Sequence, residues 1–373
     1  MANENQKPMI YHDSVVKLNS TDFIFVEGPA WDSSKYIFFS DIPASKIYKY
    51  SKSHGIEVFV ESEVNTNGIF YKFGRLYVCE SGGRQLVTYD LDGTKLDVLT
   101  DDFNGEPFNS PNDLFVDDSG GVYFTDPSFG QTPVSEESVY YMDPRGNTSR
   151  IVTGMTKPNG IILTNDHKKL IVSDTYDRYV YCWDVISNGI IENKQIYCTL
   201  GMEPGKGNES GADGMTMDRL GFLYVTTSIG IQVFDTAGAI HDTIILPERP
   251  TNCTFGGDSL NELYITARKG LYMVPVKFPT QSSPPAPTRT LKQQAKYPVI
   301  KVIYNGNGAT IYNIPSYSKI SLYNLQGKLL DKFTCLQDNY EVEKTRYKEK
   351  FMIVKVEGMH EGNTFIASRK ILL

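Results

Sequence analysis

The sequence is short of metal-binding cysteine pairs, of histidine, of excess positive charge and of long apolar runs. No stretch nears the roughly 18 apolar residues that a helix needs to cross a bilayer. Lys and Arg total 37 against 44 Asp and Glu, a net charge of -7. That balance argues against nucleic acid and anionic membranes as partners. The five cysteines, Cys79, Cys182, Cys198, Cys253 and Cys335, form no C-x-x-C pair, which disfavours zinc and redox motifs. Cys182 and Cys198 flank an expected hairpin, and buried free thiols are favoured there over a disulfide. Before residue 278 there is no amphipathic helical pattern of three turns, so this part reads as all-β. Met1 to Pro8 is polar and lacks the apolar core of a signal peptide, which taken alone reads as cytoplasmic.

What is present is a phrase that recurs six times: a polar residue at a tight turn, an apolar run, then a second hydrophobic strand. The copies are Glu27-Gly28-Pro29, Asn67-Gly68-Ile69, Asn112-Asp113-Leu114, Asn159-Gly160-Ile161, Asp213-Gly214-Met215 and Asn252-Cys253-Thr254. Their polar positions lie 40, 45, 47, 54 and 39 residues apart. A period of about 40 to 50 residues with several strands per repeat predicts propeller blades. In a ring, equivalent positions lie at one height around the channel, so two carboxylates and four amides converge. Such an oxygen-rich, nitrogen-poor set suits one hard divalent cation. Calcium is expected first, with zinc, magnesium and manganese as alternatives. Each copy by itself also reads as a plain turn dipeptide; the case for a site is the repetition.

The last blade is one strand short, and residues 9 to 18 alternate like a strand. The N-terminal strand is therefore expected to complete that blade and close the ring, removing two exposed edges. Two loops, Thr125 to Gln131 with Phe129 and Gly201 to Ala212, are expected near a channel mouth, where loops carry specificity. Residues 1–277 thus form a six-bladed propeller and 278–298 a Pro- and Gln-rich linker. Residues 299–373 form a small β-sandwich-like unit of seven short strands.

Several phrases resemble the gluconolactonase family, which includes senescence marker protein and luciferin-regenerating enzyme. They are Glu27-Gly28-Pro29-Ala30-Trp31, Asn109-Ser110-Pro111-Asn112-Asp113-Leu114, Tyr123-Phe124-Thr125-Asp126-Pro127, Lys157-Pro158-Asn159-Gly160, Ala212-Asp213-Gly214-Met215 and Thr251-Asn252-Cys253-Thr254-Phe255-Gly256-Gly257. The resemblance covers about residues 10 to 277. It implies a six-bladed propeller with one catalytic divalent cation in the channel, bound by Glu27, Asn159 and Asp213. Asn112 becomes a further ligand or a neighbour that contacts substrate. The implied reaction is hydrolysis of a small-molecule sugar lactone, with the cation polarising the carbonyl and Asp213 as general base. Asn67, Asn109, Asn252 and Phe129 are expected to meet the substrate. The alternative is a non-catalytic propeller that binds a glycan or protein, with calcium as a structural rivet.

The tail has its own resemblance. Ile320-Ser321-Leu322-Tyr323-Asn324-Leu325-Gln326-Gly327-Lys328, Phe351-Met352-Ile353-Val354-Lys355-Val356 and Arg369-Lys370-Ile371-Leu372-Leu373 resemble the C-terminal sorting domains exported by the type IX system of Bacteroidetes. This implies contact with secretion machinery, and a periplasmic, cell-surface or secreted protein whose signal peptide is absent from this sequence. A small carbohydrate-binding or docking sandwich is the competing expectation.

Overall fold

The structure is a computed structural model. It describes residues 7–129 and 133–278, and beyond them 301–305, 308–312, 318–323, 328–335, 339–343, 351–360 and 363–372. The chain divides into two compact units, Met1–Gln281 and Ser282–Leu373.

The first unit is all-β, and apart from a two-stranded ladder of Asp102–Phe103 with Glu106–Pro107 its strands form six antiparallel sheets in chain order. Blades 1 to 6 span 26–61, 69–100, 114–152, 158–199, 215–244 and 252–277. The first strand of each blade touches the first strand of the next, and the sixth touches the first, so the ring is closed. Second strands such as Ile37–Asp41 and Arg75–Glu80 are apolar runs because a blade is covered on both faces. Phe38, Ile47 and Val60 of blade 1 pack against Leu76, Val78 and Tyr89 of blade 2. Each such buried side chain contributes about 1.5–3 kcal/mol.

The N-terminal segment closes the ring, though not as one strand. Met9–Ile10 pairs with Val276 and Lys277, and Val16–Lys17 pairs with Tyr272 and Met273. Between them the chain turns through a 3-10 segment, His12–Ser14. Opposite this interruption lies Pro275, which has no N–H to donate to a neighbouring strand. It accepts one bond, from the Tyr11 N–H at 3.2 Å.

Thr125 and Asp126, expected in a loop, end the strand Val122–Asp126 instead. Cys182 lies across from Gln195, and Cys198 from Val180. The cysteines at 79, 182, 198 and 253 are free and buried. Most of the expected linker lies outside the described residues. Phe278, at its start, is buried against Phe255 of blade 6.

The second unit contains, among the described residues, two antiparallel sheets. One joins Lys301–Asn305, Gly308–Tyr312 and Asn339–Glu343; the other joins Leu329–Cys335, Ser318–Tyr323, Phe351–His360 and Asn363–Leu372. Ile320 and Leu322 are buried. No helix among the described residues is long and apolar enough to cross a membrane.

Candidate active site

Each turn residue sits where its chain enters the first strand of a blade, and a repeated device holds it there. The second strands of blades 1, 3 and 4 end in a hydroxyl and a carboxylate: Ser40-Asp41, Thr125-Asp126 and Ser173-Asp174. The hydroxyl donates to the backbone carbonyl of the next blade's turn residue. Ser40 Oγ reaches Asn67 O at 2.7 Å, Thr125 Oγ1 reaches Asn159 O at 2.6 Å and Ser173 Oγ reaches Asp213 O at 2.8 Å. The carboxylate accepts two backbone N–H groups just upstream of its own blade's turn residue. Asp41 holds Ile24 and Phe25 ahead of Glu27. Asp126 holds Asn109 and Ser110 ahead of Asn112, and Asp174 holds Thr156 and Lys157 ahead of Asn159. Sequence reasoning missed these pairs, although Ser/Thr-Asp at the end of three second strands was a readable signal.

Close approach of neighbouring blades explains the glycine after a turn residue. A Cβ at Gly160 would stand 2.4 Å from the Asp213 carbonyl oxygen. Blade 3 breaks this pattern with Asp113, and blade 6 shifts it by one residue. Thr226 Oγ1 and the Gly214 N–H both donate to the Thr251 carbonyl, each at 2.8 Å. Thr251 therefore fills the turn position there, and Asn252 falls where glycine stands in other blades.

The ring encloses a cavity of about 500 Å³. Glu27, Asn67, Asn112, Asn159 and Asp213, from five blades, line it together, with Asn109 and Phe129 at its wall. Asn252 does not. It lines a separate cavity of about 70 Å³ with Asp113, and its Nδ2 donates to Asp113 Oδ2 at 3.4 Å. Asn109 lines the main cavity, but its amide is committed to structure. Nδ2 reaches Asp126 O and Ser135 O, while Oδ1 accepts from the Val134 and Ser135 N–H groups. The side chains of Asn67 and Asn112 have no partner among the described residues.

Two carboxylates facing one cavity raise each other's cost of ionisation. Burial first, and then the charge of Asp213, push the Glu27 carboxyl well above its usual range. Burial pushes Asp213 up to about 7, against the pull of Arg249 and of a hydrogen bond from Asn159. Asp113, present in the recurring phrase but given no role from the sequence, is a third carboxyl that burial raises to about 7. Hydrogen bonds orient the main donors. Glu27 Oε2 accepts the Gly28 N–H at 3.0 Å, and Asn159 Nδ2 donates to Thr175 Oγ1 at 3.0 Å, leaving Asn159 Oδ1 for another partner.

This donor set fits a hard divalent cation: two carboxylates, the Asn112 and Asn159 carbonyl oxygens, and neither thiol nor imidazole in the cavity lining. Among the described residues no three His, Cys, Asp or Glu side chains cluster closely enough to hold a metal by themselves. The amides are therefore needed to complete the set.

Fold and site together define a six-bladed propeller with an oxygen-lined cavity at the centre of its ring. The chain belongs to the SMP-30/Gluconolactonase/LRE-like family, whose profile matches residues 25–269. It is 30% identical over 290 residues to a gluconolactonase from Zymomonas mobilis, covering 70% of this chain and 81% of that protein. It is 25% identical over 268 residues to the pentonolactonase XacC of Haloferax volcanii, covering 69% and 86%. The solved structure of a gluconolactonase from Xanthomonas campestris superimposes with a TM-score of 0.64 and 27% identity, covering 72% of this chain and 95% of that one.

Proposed function

We propose that the propeller is a lactonase that opens sugar lactones with the help of one divalent cation, calcium, held by Glu27, Asn112, Asn159 and Asp213. The observation that carries this reading is the convergence of Glu27 and Asp213 on one cavity with two unpartnered amides, Asn67 and Asn112. Its place among lactonase relatives supports the reaction class.

A bound cation supplies positive charge beside the lactone carbonyl and offsets the repulsion between the two carboxylates. Asp213 takes a proton from the water that attacks the carbonyl carbon, a role worth roughly 10² to 10⁴ in rate. The ester C–O bond then breaks, and the same proton passes to the departing ring oxygen, giving the open hydroxy acid. Asn67 offers a free amide, and Asn112 the NH2 of its amide, to the sugar hydroxyls, and Phe129 walls the ring.

The test is metal analysis of the purified protein together with a pH-indicator assay on D-glucono-1,5-lactone. Turnover that disappears with a chelator and returns with calcium is expected. A metal-loaded protein that leaves every aldonolactone untouched favours the non-catalytic binding propeller instead.

The C-terminal unit is proposed as a sorting module that brings the protein to secretion machinery and leaves it periplasmic or on the cell surface. Its resemblance to type IX sorting domains supports this. Retention of the protein in the cytoplasm of its native host would rule it out.

A further inference from the structure

A second cavity, of about 260 Å³, adjoins the first and shares Phe25, Phe129, Asn159 and Asp213 with it. What it adds is two guanidinium groups, Arg249 and Arg268, and no further carboxylate. Among the described residues neither arginine is in a salt bridge, although the charge of Arg249 acts on the Asp213 carboxyl and Arg249 also lines a further cavity with Glu203 and Glu209. Lys157 stands close by but is engaged: its Nζ donates to Ser128 O and Glu137 and lies over the Phe129 and Tyr176 rings.

Both arginines are placed by specific backbone features. Arg249 Nη2 donates to the Gly211 carbonyl at 2.9 Å, and a Cβ at Gly211 would stand 2.6 Å from that nitrogen. Glycine there makes room for the guanidinium. Arg268 opens the two-residue turn between Glu262–Ala267 and Gly270–Lys277 at φ 43°. Glycine or asparagine is the usual occupant of such a position, and a long side chain there stores strain. The Arg268 carbonyl accepts the Val26 N–H at 2.7 Å, one residue from Glu27. The turn is thus fixed against the candidate site, with its side chain at the cavity wall.

We propose that this adjoining cavity is an anion subsite. It receives a phosphate or carboxylate carried as a substituent of the lactone, on the arginine side of the Asp213 that both cavities share. The inference rests on the lactonase reading and names its substrate class: acidic sugar lactones rather than neutral ones. Arg249 and Arg268 bind the anion through charge-assisted hydrogen bonds, which are about twice as strong as neutral ones and are geometrically selective. The ring carbonyl then stays between Glu27 and Asp213, while Phe129, common to both cavities, stands where the two adjoin.

The experiment compares kcat/KM for 6-phospho-D-glucono-1,5-lactone, D-glucaro-1,4-lactone and D-glucono-1,5-lactone on the wild type, Arg268→Gln and Arg268→Lys. One charged lactone is expected to exceed the neutral one by about tenfold, and which one it is distinguishes phosphate from carboxylate. Arg268→Gln is expected to lower the charged-to-neutral ratio about tenfold, chiefly through KM, and Arg268→Lys to recover part of it. A wild type that prefers the neutral lactone, or a ratio that Arg268→Gln leaves unmoved, overturns the subsite while the lactonase reading stands. If no lactone is opened, calorimetric titration with 6-phospho-D-gluconate and D-gluconate decides separately. Tighter binding of the phosphorylated acid, lost in Arg268→Gln, supports the subsite, and equal binding overturns it.

Discussion

Thr125 Oγ1 donates to the carbonyl of Asn159 at 2.6 Å, across the junction between blades 3 and 4. The bond ties the end of one blade's second strand to the turn that presents the next blade's cavity residue. Thr125→Val keeps the shape and removes the donor, leaving a buried carbonyl unsatisfied. A loss of about 1–3 kcal/mol in denaturant unfolding is expected. Because the Asn159 turn is released, lactone turnover is expected to fall more than the global stability loss would explain at room temperature. Unchanged stability and turnover would remove the clasp from the account.

Asp174 accepts the Thr156 and Lys157 N–H groups at 2.7 and 2.9 Å. Asp174→Ala strands both donors at a part-buried turn, and a cost of about 1–3 kcal/mol is expected by chemical denaturation. Asp41→Ala and Asp126→Ala are expected to behave alike, since each holds the equivalent pair ahead of Glu27 or Asn112. Three dissimilar responses would show that the repeat in sequence is not a repeat in mechanics.

Asp213→Asn tests chemistry against scaffolding. Its carbonyl oxygen is held by Ser173 Oγ and its backbone N–H by Thr226 O, so the substitution leaves the main-chain clasp intact. Turnover is expected to drop by about 10² or more, with a thermal midpoint close to wild type. Full activity in this variant ends the general-base assignment.

With a chelator present, stability is expected to depend on pH through Asp113 and Asp213. Each has its folded pKa raised to about 7, above the usual carboxylate value of about 3.9. The native state then binds more protons than the unfolded chain, so stability falls as pH rises between those two values. Calcium, binding ionised Asp213 together with Glu27, opposes that trend at the main cavity. The calcium-induced rise in thermal midpoint is expected to be larger at about pH 8 than at about pH 5. Scanning fluorimetry across pH reads this directly, and an increment independent of pH contradicts it.

Removal of residues 1–18 takes away both ladders to the last strand of blade 6 and uncovers Ile10's place in that blade's core. The whole propeller is expected to lose stability cooperatively and to expose the 270–277 edge. A truncated protein that melts like the full chain shows that the ring closes without its N-terminal segment.

The sequence alone determined the six-fold repeat, the strand-only composition and the short last blade of the propeller. Those features depend on local hydrophobic period and turn chemistry, which the linear order of residues carries. It did not determine which side chain at each turn faces which space. Neighbouring residues on extended backbone point to opposite sides. Asn112 therefore lines the large cavity and Asp113 the small one, while a one-residue shift in blade 6 puts Thr251 in the turn position and Asn252 beside Asp113. Nor did spacing bring Arg249 and Arg268 to a shared wall with Asp213. That meeting depends on blade 5 packing against blade 6, which sets the turn residue of one beside two loops of the other.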